Sequence, residues 1–152
     1  MKNKIILPIT LCSLITFNAY ANDWRLLVEM SSPKTIWLLD TSSILQRDNW
    51  AITRLSEKTE VDGKLNIWTV TINCKSKLIR KFYLQKYEDG KLIEEKQIEN
   101  PKVLHASKSL GSKELYEKVC YPDNKKGIEL NSIEQITGMS NYFLILIQEQ
   151  KK

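Results

Sequence analysis

Beyond the first 21 positions, the residues whose types suggest chemistry are two cysteines, Cys74 and Cys120, one histidine, His105, and the adjacent carboxylates Glu94 and Glu95. Serine or cysteine nucleophiles need a base within reach, and no motif marking a nucleophile adjoins His105, which reads as a surface residue. Glu94 and Glu95 are successive, so on a strand they point to opposite faces and cannot act as an acid–base pair. The five glycines are scattered, which leaves no phosphate-cradling loop. Two thiolates this far apart have only His105 as a soft third ligand, which makes a poor metal site. The expectation is a protein without catalysis, metal or cofactor.

The remaining candidate chemistry is recognition. Lys75, Lys77, Arg80, Lys81 and Lys86 flank Phe82, Tyr83 and Tyr87 in one segment, the nearest thing in the chain to a partner-binding patch. Side chains alternate on a strand, so the segment cannot present all of them together. The face of Lys81, Tyr83 and Tyr87 is expected on the solvent side. Four tryptophans, Trp24, Trp37, Trp50 and Trp68, read first as core, with about one of them exposed.

The compartment follows from the N-terminus. Lys2 and Lys4 precede an apolar stretch from Ile5 to Phe17, and Ala19-Tyr20-Ala21 offers small residues where a signal peptidase reads. Pro8 interrupts the stretch, which at about 13 residues falls short of the roughly 20 that span a bilayer as a helix. Residues 1–21 therefore read as a signal peptide cleaved after Ala21. Cys12 follows Leu11 and lies inside that segment, so no lipid anchor is expected. Without Lys2 and Lys4 the chain carries 21 basic and 18 acidic residues, a net charge of about +3 spread along its length, which does not resemble a nucleic-acid binder. In an oxidising compartment Cys74 and Cys120 are most simply a disulfide, closing a loop of 46 residues.

The elements that must position these residues begin as strands. Residues 24–30 and 35–40 flank Ser31-Ser32-Pro33, a turn sequence, and predict a hairpin. Residues 49–55 follow as a strand, and 56–64 as an exposed loop. In 66–75, Trp68, Val70, Ile72 and Cys74 share one face, which turns Cys74 toward the core. Strand 77–87 is amphiphilic on both faces. Asp89-Gly90 then supplies a tight turn to a return strand over 91–99. Ser112 is a candidate cap for a helix whose stripe is Leu115, Tyr116, Val119 and Cys120. Both cysteines lie on the apolar sides of their elements, so a short helix strapped to one face of an antiparallel sheet is the economical α+β arrangement. Asn131 and Glu134 suggest a capping box before a short helix ending at Gly138, and the apolar run Tyr142 to Ile147 is expected as one more strand, with a terminal helix as the alternative.

The order Trp24, Leu39-Asp40-Thr41, Ser43-Ile44, Trp50, Cys74, Arg80, Tyr87, Gly90 and Val119-Cys120 resembles the surface-adhesin protein E family of Gram-negative bacteria. The resemblance implies a sheet of about six strands, with a helix tied to its concave face by Cys74–Cys120. It assigns 22–120 to the adhesin E-like domain and leaves 121–152 as a C-terminal extension packing on or extending it. It also implies adhesion through host matrix or serum proteins such as vitronectin, laminin and plasminogen, and a homodimer. The chain departs from the family in lacking a lipidation signal, and it has Gln97 and Ile98 where members usually carry a tryptophan. The functional expectation is an exported, non-catalytic protein of the periplasm or cell surface that binds a protein partner. The alternative is a periplasmic inhibitor or immunity protein that blocks a toxin or a cell-wall enzyme.

Overall fold

The computed structural model describes residues 23–31, 34–123 and 128–149. The expected signal peptide, with Ala19 and Ala21, lies outside them, as do Ser32 and Pro33 of the first turn. Among the described residues there are eight strands and two α-helices. The strands are β1 (Asp23–Ser31), β2 (Lys34–Arg47), β3 (Trp50–Thr59), β4 (Leu65–Asn73), β5 (Leu78–Glu88), β6 (Lys91–Gln97), β7 (Val103–His105) and β8 (Ile128–Glu129). The helices are α1 (Leu110–Cys120) and α2 (Ile133–Glu149).

All pairings are antiparallel, in the order β6-β5-β4-β3-β2-β1-β8, with β7 beside β6 on the edge of β5. The strand count exceeds the expected six because β7 and β8, of three and two residues, are too short to leave an alternating pattern. At the β5–β6 turn Asp89 and Gly90 both take positive φ, 48° and 76°, as a primed turn requires.

The sheet is covered on both faces. On one, Leu39, Ala51, Leu55, Val70, Ile72 and Ile79 pack against Leu115, Tyr116 and Val119 of α1, and Trp68 and Cys74 join them as the alternation predicts. The disulfide Cys74–Cys120, with Cα atoms 5.6 Å apart, fastens the end of α1 to the residue that follows β4. The helix starts one turn earlier than the cap expected at Ser112: Ser109 is the N-cap, and its Oγ accepts from the Ser112 amide at 3.1 Å.

On the opposite face Trp24, Ile36, Leu38, Leu65 and Ile67 pack against Ile136, Leu144 and Ile147 of α2. The strand expected over Tyr142 to Ile147 is therefore part of a helix. Ile136, Ser140, Leu144 and Ile147 recur at helical spacing and are its buried residues, a stripe that the apolar run conceals when read by itself. The expected stop at Gly138 is passed, because a helical glycine costs only about 1 kcal/mol and the buried stripe continues on both sides of it. The cap also shifts by one residue: Ser132 Oγ accepts from the Gln135 amide at 3.3 Å, and Gln135 Oε1 accepts from the Asn131 amide at 2.6 Å. No helix among the described residues is long and apolar enough to cross a membrane.

Candidate binding surface

Helix α2 covers only part of its face. Toward the β2–β3 turn the same face continues uncovered, and the strand registers align its side chains in two rows. Leu45 pairs with Ile52, Ile52 with Thr71, Thr71 with Arg80, and Arg80 with Val103. Beside that row runs a second, from Arg47 through Trp50, Asn73 and Leu78 to His105. Cross-strand partners share a face, so ten residues from five strands form one platform.

Its centre is apolar and open. Leu45 is 68% exposed, Trp50 and Val103 each 45%, and a shallow groove of about 320 Å³ runs between Leu45, Trp50, Ile52 and Thr71. The other three tryptophans fill the interior: Trp24 and Trp37 are buried and Trp68 is half-buried. Arg80 lies over the Trp50 ring at 6.0 Å, and its Nε, shielded from solvent, has no hydrogen-bond partner among the described residues. An unpaired buried donor beside an exposed indole is a place where an acceptor from outside gains a hydrogen bond without displacing one. Neither row contains an acidic residue.

The residues expected to form the patch are separated. In β4 the consecutive Thr69 and Val70 pair with Tyr83 and Lys81, which leaves Phe82 as the extra residue of a β-bulge. Lys81 therefore faces the α1 side while Tyr83 and Tyr87 face the α2 side, which corrects their assignment to one solvent face. Lys81 sits between two indoles, 4.7 Å from the Trp37 ring and 5.0 Å from that of Trp68, with Nζ 2.6 Å from the Glu57 carboxylate. Trp68 Nε1 donates to the same carboxylate at 3.3 Å. Tyr83 donates its hydroxyl to Glu95, a bond that raises the phenol above its usual range. Tyr87 packs against the second core, and burial raises its phenol likewise. His105 caps the 3-10 turn after β7, its Nδ1 accepting from the Ser107 amide at 3.3 Å.

No family model, curated protein or solved structure matches the chain.

The platform is not legible in the sequence, because its members are scattered from residue 45 to residue 105. A usable signal was present in Trp50, since it follows the polar pair Asp48-Asn49 at the tip of a hairpin. A large aromatic beside a solvated turn is where an indole is least easily buried.

Proposed function

We propose that this chain is an exported, non-catalytic binding protein, and that it takes a protein partner on the platform of Leu45, Arg47, Trp50, Ile52 and Arg80. The observation that carries the reading is the pairing of exposed Trp50 with Arg80. Tryptophan and arginine dominate the few residues that hold most of an interface's energy. Two arginines, no acidic residue and an apolar groove call for a partner segment with a carboxylate next to an apolar side chain. Lys81 is committed to Glu57 and two indoles and serves the fold.

The resemblance to the surface-adhesin E family gives the partner class to try first, host matrix and serum proteins. The test is binding of the immobilised chain to vitronectin, laminin and plasminogen, beside a Trp50→Ala/Arg80→Ala variant of unchanged melting temperature. Saturable binding that the variant loses by tenfold or more supports the reading. Equal binding by both proteins, or none to any of the three, removes adhesion through this platform. Protection of the chain from protease added to intact cells would favour the periplasmic inhibitor reading instead.

A further inference from the structure

The opposite end of the sheet carries a separate recess, between α2 and the β3–β4 and β5–β6 turns. It measures about 480 Å³, within the range of small-molecule sites. On α2 it is lined by Thr137, Asn141, Leu144 and Ile145, whose spacing puts them on one side of the helix. Lys58, Leu65 and Tyr87 face them from the strands, with Asp89 at the β5–β6 turn. Lys58 is the decisive residue. It is 5% exposed, and its ammonium, with three N–H groups to place, donates to the Gly63 carbonyl and to no other group among the described residues. Asp62 and Asp89 act on it only from beyond ion-pair distance. A buried ammonium with spare donors beside a recess calls for an acceptor from outside the chain.

The surrounding charges decide what kind of acceptor that is. Glu60 and Asp89 line the recess, and Glu134 brings its carboxylate up to Gly90, where an added Cβ would meet it at 3.0 Å. These acids repel an anion, while Lys58 repels a cation. A neutral group that both accepts and donates avoids both penalties, and a hydroxyl is such a group. The rest of the polar lining agrees: the Tyr87 and Thr137 hydroxyls, the Asn141 amide and the Asp89 carboxylate make no hydrogen bond among the described residues. Together they offer donors and acceptors to several hydroxyls at once, which a simple alcohol lacks and a sugar has. Leu65, Leu144 and the Tyr87 ring add apolar surface for the C–H face of a pyranose.

We infer that this recess binds a neutral saccharide of one or two pyranose rings, its hydroxyls held by Lys58, Asp89, Thr137 and Asn141 and its C–H face laid on Leu144 and Tyr87. The test is titration of the ¹⁵N-labelled chain with the methyl glycosides of glucose, galactose, mannose and N-acetylglucosamine, followed at the amides of Gly63 and Gly90, which line the recess. At least one glycoside should move both resonances saturably. The uronate and the 2-amino sugar of the same hexose should act at least tenfold more weakly. Lys58→Met, which keeps an unbranched apolar stem and removes the ammonium, should weaken that glycoside about tenfold, and Asn141→Ala, at an exposed position, about fivefold. The Trp50→Ala/Arg80→Ala chain should bind it as the parent does, because the platform lies at the other end of the sheet. Resonances unmoved by all four glycosides, an equal response to the uronate or the amino sugar, a folded Lys58→Met or Asn141→Ala chain with the parent's affinity, or a loss in the Trp50→Ala/Arg80→Ala chain would each overturn the assignment.

Discussion

Gly111 lies so close to Trp37 that a Cβ built on it would stand 2.8 Å from Cζ3 of the indole. The helix rests its backbone directly on the ring, which only the residue without a side chain allows. Gly111→Ala should therefore destabilise the protein by about 1–3 kcal/mol, although alanine is the better helix former. Gly138, with nothing within 4 Å of its added Cβ, is the control of opposite sign. Gly138→Ala should stabilise by about 0.5–1 kcal/mol. Urea denaturation of both variants checks the pair, and a Gly111→Ala chain as stable as the parent would mean that the packing of α1 on Trp37 is not as described.

The Cys74–Cys120 bond closes a separation of 46 residues. On the chain-entropy account its loss should cost about 4 kcal/mol. Unfolding of the Cys74→Ser/Cys120→Ser chain measures this. Free alkylation of both thiols in the native, unreduced protein would contradict the bond outright.

Lys81 should behave as a structural residue. Lys81→Ala removes the cation between Trp37 and Trp68 and leaves the Glu57 carboxylate, whose side chain is 19% exposed, with the Trp68 indole N–H but without its countercharge. A loss of about 1–3 kcal/mol is expected, with binding by the folded fraction unchanged. A variant as stable as the parent would return Lys81 to the list of candidate contacts.

Lys58 sets a pH dependence. It is 5% exposed, its ammonium donates to the Gly63 carbonyl, and burial lowers its pKa from the ordinary 10.5, against the opposing pull of Asp62 and Asp89. Between the lowered folded value and 10.5 the unfolded chain holds the extra proton, so this group's contribution to stability rises with pH across that window. Below the folded value its penalty is present in full. Lys58→Met should therefore raise the urea midpoint at pH 7, and the gain over the parent should shrink as pH approaches 10. A constant difference across that range would show that Lys58 ionises alike in both states.

What the sequence disclosed and what it withheld divide along a physical line. Trp68, Val70, Ile72 and Cys74 announce their shared face because alternation within one strand is a local property. The Asp89-Gly90 turn and the Cys74–Cys120 tie were legible for similar reasons, the first from backbone preference and the second from an even cysteine pair. The bulge at Phe82 is not local: it exists only in the register of β5 against β4, and it was enough to send Lys81 and Tyr83 to opposite faces. The helical state of Tyr142 to Ile147 likewise depends on Ile36, Leu38, Leu65 and Ile67, which supply the surface that its stripe covers. The platform depends on five strands at once.

The placement of the two helices also sets an order of assembly. The core beneath α1 draws on residues from Trp37 to Val119, whereas the core beneath α2 needs Leu130 to Ile147 to meet Trp24 of the first strand. A chain available only as far as α1 can complete the first while the second still waits for its lid. Until then Ile36, Leu38, Leu65 and Ile67 stand bare on an otherwise finished sheet. A chain that ends shortly after Cys120 is thus the form most prone to stick to its neighbours, and the last helix acts as the stopper that closes that face.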